Sequence, residues 1–198
     1  MKKPDTLKDF LRNTVALVGA GYTNVLAVKI PAKKLAKLEA IQNKIAKAYE
    51  TDKTRSQRAY AKSQGYANFQ AIAYREHIFV FHTEGEIKDS IALGKGFVDF
   101  QKRRSLDLEI SDYLKLVLYR DERGKLTVRL AREVFKDFKN QFELAYKQKS
   151  GSLYHSTIKR LSNLPPYRGI QLQKIELIKY LKEQHKNYGV KWHIPFKL

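Results

Sequence analysis

Two carboxylates, Asp107 and Glu109, have a spacing that phosphodiester chemistry could use. They lie in a segment where apolar and polar residues alternate, so in a β-strand both would project from one face. Mg²⁺ takes oxygen ligands and can hold an attacking water beside a scissile phosphate. The pattern is compatible with a Mg²⁺-dependent endonuclease, although acidic residues are common on the solvent face of a sheet. Other charged residues of the expected strands could assist: Asp99, Asp112, Lys102 and Lys115.

A tyrosine nucleophile is the second kind of chemistry that the sequence could support. His77 and His82 flank an apolar run, as the histidines of the metal clamp in replication and transposition nickases do. That clamp needs ligands two residues apart, whereas these two are five apart and would point to opposite faces of a strand. A nickase or recombinase of this type would use Tyr146 or Tyr154, and the spacing does not choose between them.

A lysine-rich face is predicted on a helix from Pro31 to about Tyr49. Proline suits a first helical turn, and apolar residues follow at helical spacing. Four lysines would fall within about 80° on the opposite side of this helix. Few acidic residues accompany them, which favours contact with phosphates over a merely solvated surface. The apolar positions are Leu35, Leu38, Ile41 and Ile45, and the lysines are Lys33, Lys37, Lys44 and Lys47.

A second basic helix is predicted over residues 53–64. Arg55, Arg58 and Lys62 share one face, and the helix has almost no apolar stripe. Such a helix could gain its order by lying against a polyanion. Tyr60 and Tyr66 interleave with these charges and are predicted to stack on unpaired bases.

A third basic cluster, Lys102, Arg103 and Arg104, is expected at a strand end or turn. Runs of three charges are usually just solvated, but this one could form the second wall of a groove. Whether it faces the same side as the two helices cannot be decided from sequence.

The net charge selects the class of partner. Lys and Arg number 39 against 20 Asp and Glu, giving a formal charge of +19 and a pI near 9.9. Self-repulsion of this size is usually offset by a counter-charged partner: nucleic acid, an anionic membrane or an acidic protein. Phosphate-binding glycine loops, dinucleotide fingerprints, HExxH motifs and nucleophile elbows are absent, so the common NTPase, NAD-dependent and serine-hydrolase classes are disfavoured.

Compartment follows from a few simple features. The sequence has no cysteine, which fits a reducing environment, and charges interrupt the N-terminal segment where a secretory signal would be apolar. No stretch approaches eighteen uncharged apolar residues, so we expect no membrane span. We therefore expect a cytoplasmic protein.

The elements predict an α+β fold, with a mostly antiparallel sheet and flanking helices. Strands are expected within 14–30 and 67–130. Alternation places them at 14–18 and 22–30, in a hairpin around Arg75 and Glu76, and at 97–100, 106–110, 114–118 and 126–130. Helices are expected within 31–65 and 131–187, followed by a strand at 190–194. In the last helix the expected core positions are Leu172, Ile175, Ile178 and Leu181. We expect one domain over 1–198, with possible sub-structure at 1–66, 67–147 and 148–198.

These observations lead to one function and two alternatives. We expect a nucleic-acid-binding protein, DNA somewhat before RNA, that grips the phosphate backbone through its basic faces and needs no cofactor. The first alternative is a site-specific endonuclease or strand-transfer enzyme of a mobile element, with Mg²⁺ if carboxylates do the chemistry. The second is a module that docks on acidic protein or an anionic membrane surface.

Overall fold

The structure, a computed structural model, describes residues 1–190 and 192–194 and divides into two compact units, Met1–Leu106 and Asp107–Leu198. This division does not test the expected single domain, which stays a prediction. The first unit contains α1 (Leu7–Gly19), β1 (Asn24–Lys29), a 3₁₀ helix (Ala32–Lys37), α2 (Leu38–Ala48), α3 (Arg55–Ser63), β2 (Phe69–Tyr74), β3 (His77–His82), β4 (Val98–Asp99) and α4 (Phe100–Arg103). From residue 105 onward follow β5 (Ser105–Ser111), β6 (Leu114–Arg120), β7 (Leu126–Leu130), α5 (Arg132–Lys147), α6 (Gly151–Ser162) and α7 (Arg168–Tyr188).

The predicted fold class is confirmed: helices accompany antiparallel sheets. The strands form two sheets, however, and not one. The first has the order β2-β3-β1-β4 and the second the order β5-β6-β7. The predicted hairpin joins β2 to β3, and Arg75 in its turn has a positive φ of 53°.

The strand predicted at 14–18 is wrong, because these residues belong to α1. The run is rich in β-branched side chains, which favour strands, but its buried residues recur at helical spacing. Thr14 donates a hydrogen bond from its hydroxyl to the Phe10 carbonyl at 2.9 Å, which satisfies the buried hydroxyl within the helix. The Phe10 ring packs on Tyr74 and Phe79 of the sheet at centroid distances of 5.0 and 5.1 Å.

The helix predicted from Pro31 to Tyr49 is interrupted. Its first part is the 3₁₀ helix, where the Lys34 N–H bonds to the Pro31 carbonyl, and α2 begins at Leu38. A 3₁₀ helix has three residues per turn, so the α-helical wheel does not carry across this junction. Leu35, expected in the core, is consequently 42% exposed.

Sheet β2-β3-β1-β4 is covered on both faces, and every residue of β3 is buried. Phe79 contacts Phe10 of α1, whereas Ile78 and Val80 belong to the core that packs against α2. His77 lies near Phe79, and His82 lies against Phe69, a member of the α2-side core. The two histidines thus occupy opposite faces, as their spacing predicted.

In the second unit, α5 buries Val134, Phe138 and Phe142 and packs mainly against α6 and α7. The helix that packs against β7 is α7, and not α5, the helix that directly follows the strands. The apolar phase predicted for the last helix is partly wrong. Leu172 is 47% exposed and Lys174 is buried, because the residues of α7 that pack against β7 set its orientation. Burial lowers the Lys174 pKa, and its ammonium lies 3.4 Å from the Leu164 carbonyl oxygen.

Two further predictions concern short strands. The strand expected over Phe97 to Phe100 is limited to Val98 and Asp99, because α4 begins at Phe100. For the strand predicted at 190–194, residues 190 and 192–194 have no regular structure. Lys191 and Lys197, which add to the net charge, lie outside the described residues.

Candidate nucleic-acid interface

One end of the first sheet brings together segments that are far apart in sequence. Phe69 pairs with His82, His82 with Asn24, and Asn24 with Asp99, so these four residues form a row across the strands. β2 starts at this row and is preceded by α3, while β4 ends there and is followed by α4. We call this edge, defined by the row Phe69–His82–Asn24–Asp99, the basic end.

The first wall of the basic end is α3. Thr54 caps this helix in a capping box with Gln57, which stabilises a helix that buries little apolar surface. Arg55 and Lys62 are exposed, as predicted. Arg58 is different: it is half-buried, and its guanidinium donates to the Lys53 carbonyl, so it holds the chain that enters α3.

The tyrosines do not share the face of these charges. Tyr60 is 69% exposed, but it lies about 140° around the helix from Arg55 at 3.6 residues per turn. Tyr66 is half-buried, and the Lys88 ammonium lies 5.3 Å from its ring centroid. The fold therefore leaves Tyr60 available for stacking, though on another flank, and gives one face of Tyr66 an intramolecular cation.

The second wall is α4 with the residue after it. Asp99 caps this short helix by accepting hydrogen bonds from the Gln101 and Lys102 N–H groups at 2.8 and 3.2 Å. Arg104 ends the helix at a positive φ of 59°, which turns the chain toward β5. All three basic residues of this cluster are exposed: Lys102, Arg103 and Arg104.

The predicted lysine-rich face is divided between two helices in the structure. Lys33 and Lys37 lie on the 3₁₀ helix, which follows the opposite end of β1, where Lys29 pairs with His77. α2 then runs back over the sheet until the Tyr49 ring reaches Phe69, at 5.7 Å. The exposed pair on the C-terminal half of α2, Lys44 and Lys47, therefore lies toward the basic end, and the other pair does not.

A groove of about 500 Å³ separates α2 from α3. Lys47 and Lys53 line it together with Glu50 and Asp52, so its charge is balanced. The Lys53 ammonium lies 2.6 Å from Glu50, and this hydrogen bond lowers the pKa of the Glu50 carboxyl. This groove is therefore less suited to a phosphate than the two walls.

An acidic loop lies between the walls, and sequence reasoning did not identify it. Glu84 follows β3, which is an inner strand of the sheet, and its carboxylate accepts a 3.4 Å hydrogen bond from the Gln101 amide. Gly85 adopts a φ of 131°, and a Cβ there would lie 2.7 Å from the Gly65 carbonyl oxygen. The loop backbone is thus pressed against the connection between α3 and β2, which fixes the position of Glu84. The glycine after Glu84 was the available sequence signal.

His82 is the buried titratable group of the basic end. Its Nδ1–H donates to the Thr83 carbonyl at 2.8 Å, and its ring lies between Phe69 and Phe97 at 5.0 and 4.9 Å. Burial lowers the pKa of this imidazole, which therefore stays neutral in the folded protein near pH 7. Its role here is packing.

The predicted carboxylate pair lies in the second unit. Asp107 and Glu109 are exposed on the same face of β5, as expected. Lys115 lies 3.5 Å from Asp107 and 3.4 Å from Glu133, and the charge of Asp107 is the main cause of its raised pKa. An ammonium thus occupies the space beside Asp107 where a nuclease would place a cation.

The two carboxylates expected to assist have other surroundings. Asp99 is the cap of α4 in the first unit. Asp112 lines a different groove, of about 630 Å³, with Tyr113, Glu133 and Asp137. Among residues 1–190 and 192–194, no group of three or more His, Asp or Glu side chains is arranged to hold a metal ion.

The candidate tyrosine nucleophiles are both fully buried. Tyr146 stacks on Trp192 at 5.1 Å, and Tyr154 packs on the same ring at 4.8 Å. The Tyr154 hydroxyl donates to the His193 carbonyl at 3.3 Å. Burial raises the pKa of both phenols, that of Tyr154 to about 12, so neither is an accessible phenolate. Their arrangement is that of a core.

Comparison with protein-family models, with curated proteins and with solved structures gives no match. No helix in the described part of the chain is long and apolar enough to cross a bilayer. The functional interpretation therefore depends on the geometry of the basic end.

Proposed function

We propose that this protein binds nucleic acid by its phosphate backbone, through the basic end of the first sheet. The observation that supports this proposal is the row of strand ends, because it places α3 and α4 at the same end of one sheet. Sequence reasoning identified both basic segments but could not bring them together. Two separate clusters thereby become the two walls of one surface.

The net charge of the two units does not by itself identify which surface binds nucleic acid. Residues 1–106 contain twenty Lys and Arg against ten Asp and Glu, and the rest of the chain is about as basic. The exposed basic residues of the second unit are interspersed with carboxylates, as in the Lys147–Glu143 and Lys139–Glu176 ion pairs. Lys102 of α4 itself lies 3.8 Å from the Asp99 carboxylate. The concentration of the other exposed cations, Arg55, Lys62, Arg103 and Arg104, at one end of one sheet therefore supports the first unit as the contact.

Binding of this kind releases counterions from the nucleic acid. The logarithm of the binding constant falls linearly with the logarithm of salt, with a slope of about −0.9 per phosphate neutralised on duplex DNA. Fluorescence anisotropy with a labelled duplex, from about 50 to 300 mM salt, measures this slope. A cytoplasmic location is part of the proposal, and cell fractionation tests it.

Matched double variants locate the contact. We expect Arg55→Ala/Lys62→Ala and Lys102→Ala/Arg103→Ala each to make the slope shallower by nearly 2, because each removes two phosphate contacts. The control removes two lysines that are also exposed but lie at the opposite end of the sheet, Lys33→Ala/Lys37→Ala, and should leave the slope unchanged.

Two results would count against this proposal. Equal effects of all three double variants would mean that net charge acts without a defined surface. Undetectable binding at about 50 mM salt would refute nucleic-acid binding. An acidic protein or an anionic membrane would then have to account for the charge of +19.

A further inference from the structure

The two walls of the basic end are separated by the width of the sheet. α3 lies beside the start of β2, since the Asn68 side chain donates to the Arg58 carbonyl at 3.0 Å. α4 directly follows β4, on the other edge of the sheet. Three inter-strand spacings of about 4.8 Å separate these edges, or about 14 Å. The cations therefore form two rows and not a continuous patch.

The space between the rows is acidic. Glu84 lies in the loop after β3, with its carboxylate 3.4 Å from the Gln101 amide of α4, and Glu86 follows it, paired through its backbone with Tyr66. Both side chains are exposed. A ligand that contacts both walls must therefore place negative charge at two separated positions. Between these positions it must either carry no negative charge or present hydrogen-bond donors.

We propose that the ligand is double-stranded DNA, with its major groove facing Glu84 and one phosphate row on each wall; this inference rests on the proposed function. The major groove of B-form DNA is about 12 Å wide, close to the wall separation, whereas the minor groove is about 6 Å wide. The floor of the major groove presents the amino groups of cytosine and adenine, and a glutamate carboxylate can accept hydrogen bonds from them. Glu84 is then a specificity-determining residue.

Other nucleic acids fit this surface less well. A single strand running from one wall to the other would carry phosphates directly over Glu84, where like charges repel. Double-stranded RNA has a deep, narrow major groove that side chains do not enter. Two basic rows on either side of an acidic residue thus favour one class of polyanion over others. A surface that carried only positive charge would bind all of these polyanions with similar affinity.

The test compares labelled double-stranded DNA, single-stranded DNA and double-stranded RNA of one sequence by anisotropy at constant salt. We expect the wild-type protein to bind double-stranded DNA at least tenfold more tightly than either alternative. Glu84→Gln keeps an acceptor but removes the negative charge. It should tighten single-strand binding by about fivefold, the effect of one like-charge contact at about 4 Å in water, and change duplex binding less.

Glu39→Gln is the control, because it makes the same charge change at an exposed site on the first turn of α2, away from the basic end. It should leave the preference for double-stranded DNA unaltered. Circular dichroism of Glu84→Gln checks that the fold is intact.

Similar affinities for the double- and single-stranded DNA, or for the two duplexes, would overturn this inference while leaving phosphate binding in place. The same holds if Glu39→Gln narrows the preference as much as Glu84→Gln does. Failure of all three ligands to bind would instead overturn the proposed function, and this inference with it.

Discussion

Gly169 occupies a position where a single added methyl group should be costly. It is the second residue of α7, and a Cβ built there would lie 2.6 Å from the Val128 carbonyl oxygen and 2.9 Å from the Tyr119 hydroxyl. The Gly169 N–H also donates to the Thr127 hydroxyl at 3.1 Å. The start of α7 therefore rests directly on the backbone of β7.

The magnitude follows from this close approach. Ordinary contact begins at 3.4 Å, so Gly169→Ala requires a displacement of roughly 0.8 Å against a backbone atom. Overpacking of this kind costs about 1–3 kcal/mol, and stretching the hydrogen bond to Thr127 adds about 1 kcal/mol. The higher helix propensity of alanine relative to glycine offsets about 0.5–1 kcal/mol of this cost. We expect a net loss of about 1–3 kcal/mol, or a Tm lower by roughly 2–12 °C for a chain of this size.

Thermal melts followed by circular dichroism measure this loss. The control is Gly151→Ala at the start of α6, where the nearest atom to the added Cβ, Trp192 Nε1, lies at an ordinary 3.9 Å. This variant should melt at or slightly above the wild-type temperature, since alanine restricts the unfolded chain. If Gly169→Ala is as stable as Gly151→Ala, the described contact between α7 and β7 is incorrect.

Three further predictions concern stability. Gln173→Met should lower the free energy of unfolding in urea by about 1–3 kcal/mol, because Gln173 bonds both backbone groups of one β7 residue; the exposed neighbour Gln171→Met should change little, and equal effects would refute this. Since burial lowers the pKa of His82 in the folded protein, the unfolded chain takes up protons first, and stability should fall as the pH drops from about 6.5 toward the lower folded-state pKa. His82→Gln should reduce this pH dependence, to which His185 also contributes because burial lowers its pKa, and exposed His155→Gln should not reduce it; a dependence unchanged by His82→Gln would contradict the assignment. Lys115→Met should cost less than about 1 kcal/mol in the same urea assay despite its two ion pairs, because these are exposed to solvent, and a loss of several kcal/mol would show a larger structural role.

Periodicity in the sequence predicted the fold class and most elements. Alternation identified β2, β3, β5, β6 and β7, because side chains of a strand point alternately to two faces. It failed at residues 14–18, where β-branched side chains favour a strand locally but the buried positions follow a helix. It also missed the junction at Leu38 and the phase of α7, since both depend on which neighbour a helix packs against.

The sequence predicted the surroundings of the individual candidate residues with uneven success. Exposure of Arg55, Lys62 and the cluster 102–104 was predicted correctly from charge pattern. Arg58 is instead held by a backbone carbonyl, and Asp107 is paired with a lysine from the next strand. Glu84 went unnoticed because acidic residues in a loop have no periodic pattern, and the glycine after it signals only a turn.

The sequence by itself determined that the chain is strongly basic, that it folds with helices on antiparallel sheets, and which segments carry one-sided charge. These properties depend on composition and on neighbours within about four residues, which a linear pattern records. Only the tertiary structure decided that α3 and α4 share one end of a sheet while Lys33 and Lys37 lie at the other. Strand order and register set that arrangement, and they arise from burial of apolar faces between segments distant in the chain. No local spacing encodes such pairings, so the walls of the proposed interface became visible only in three dimensions.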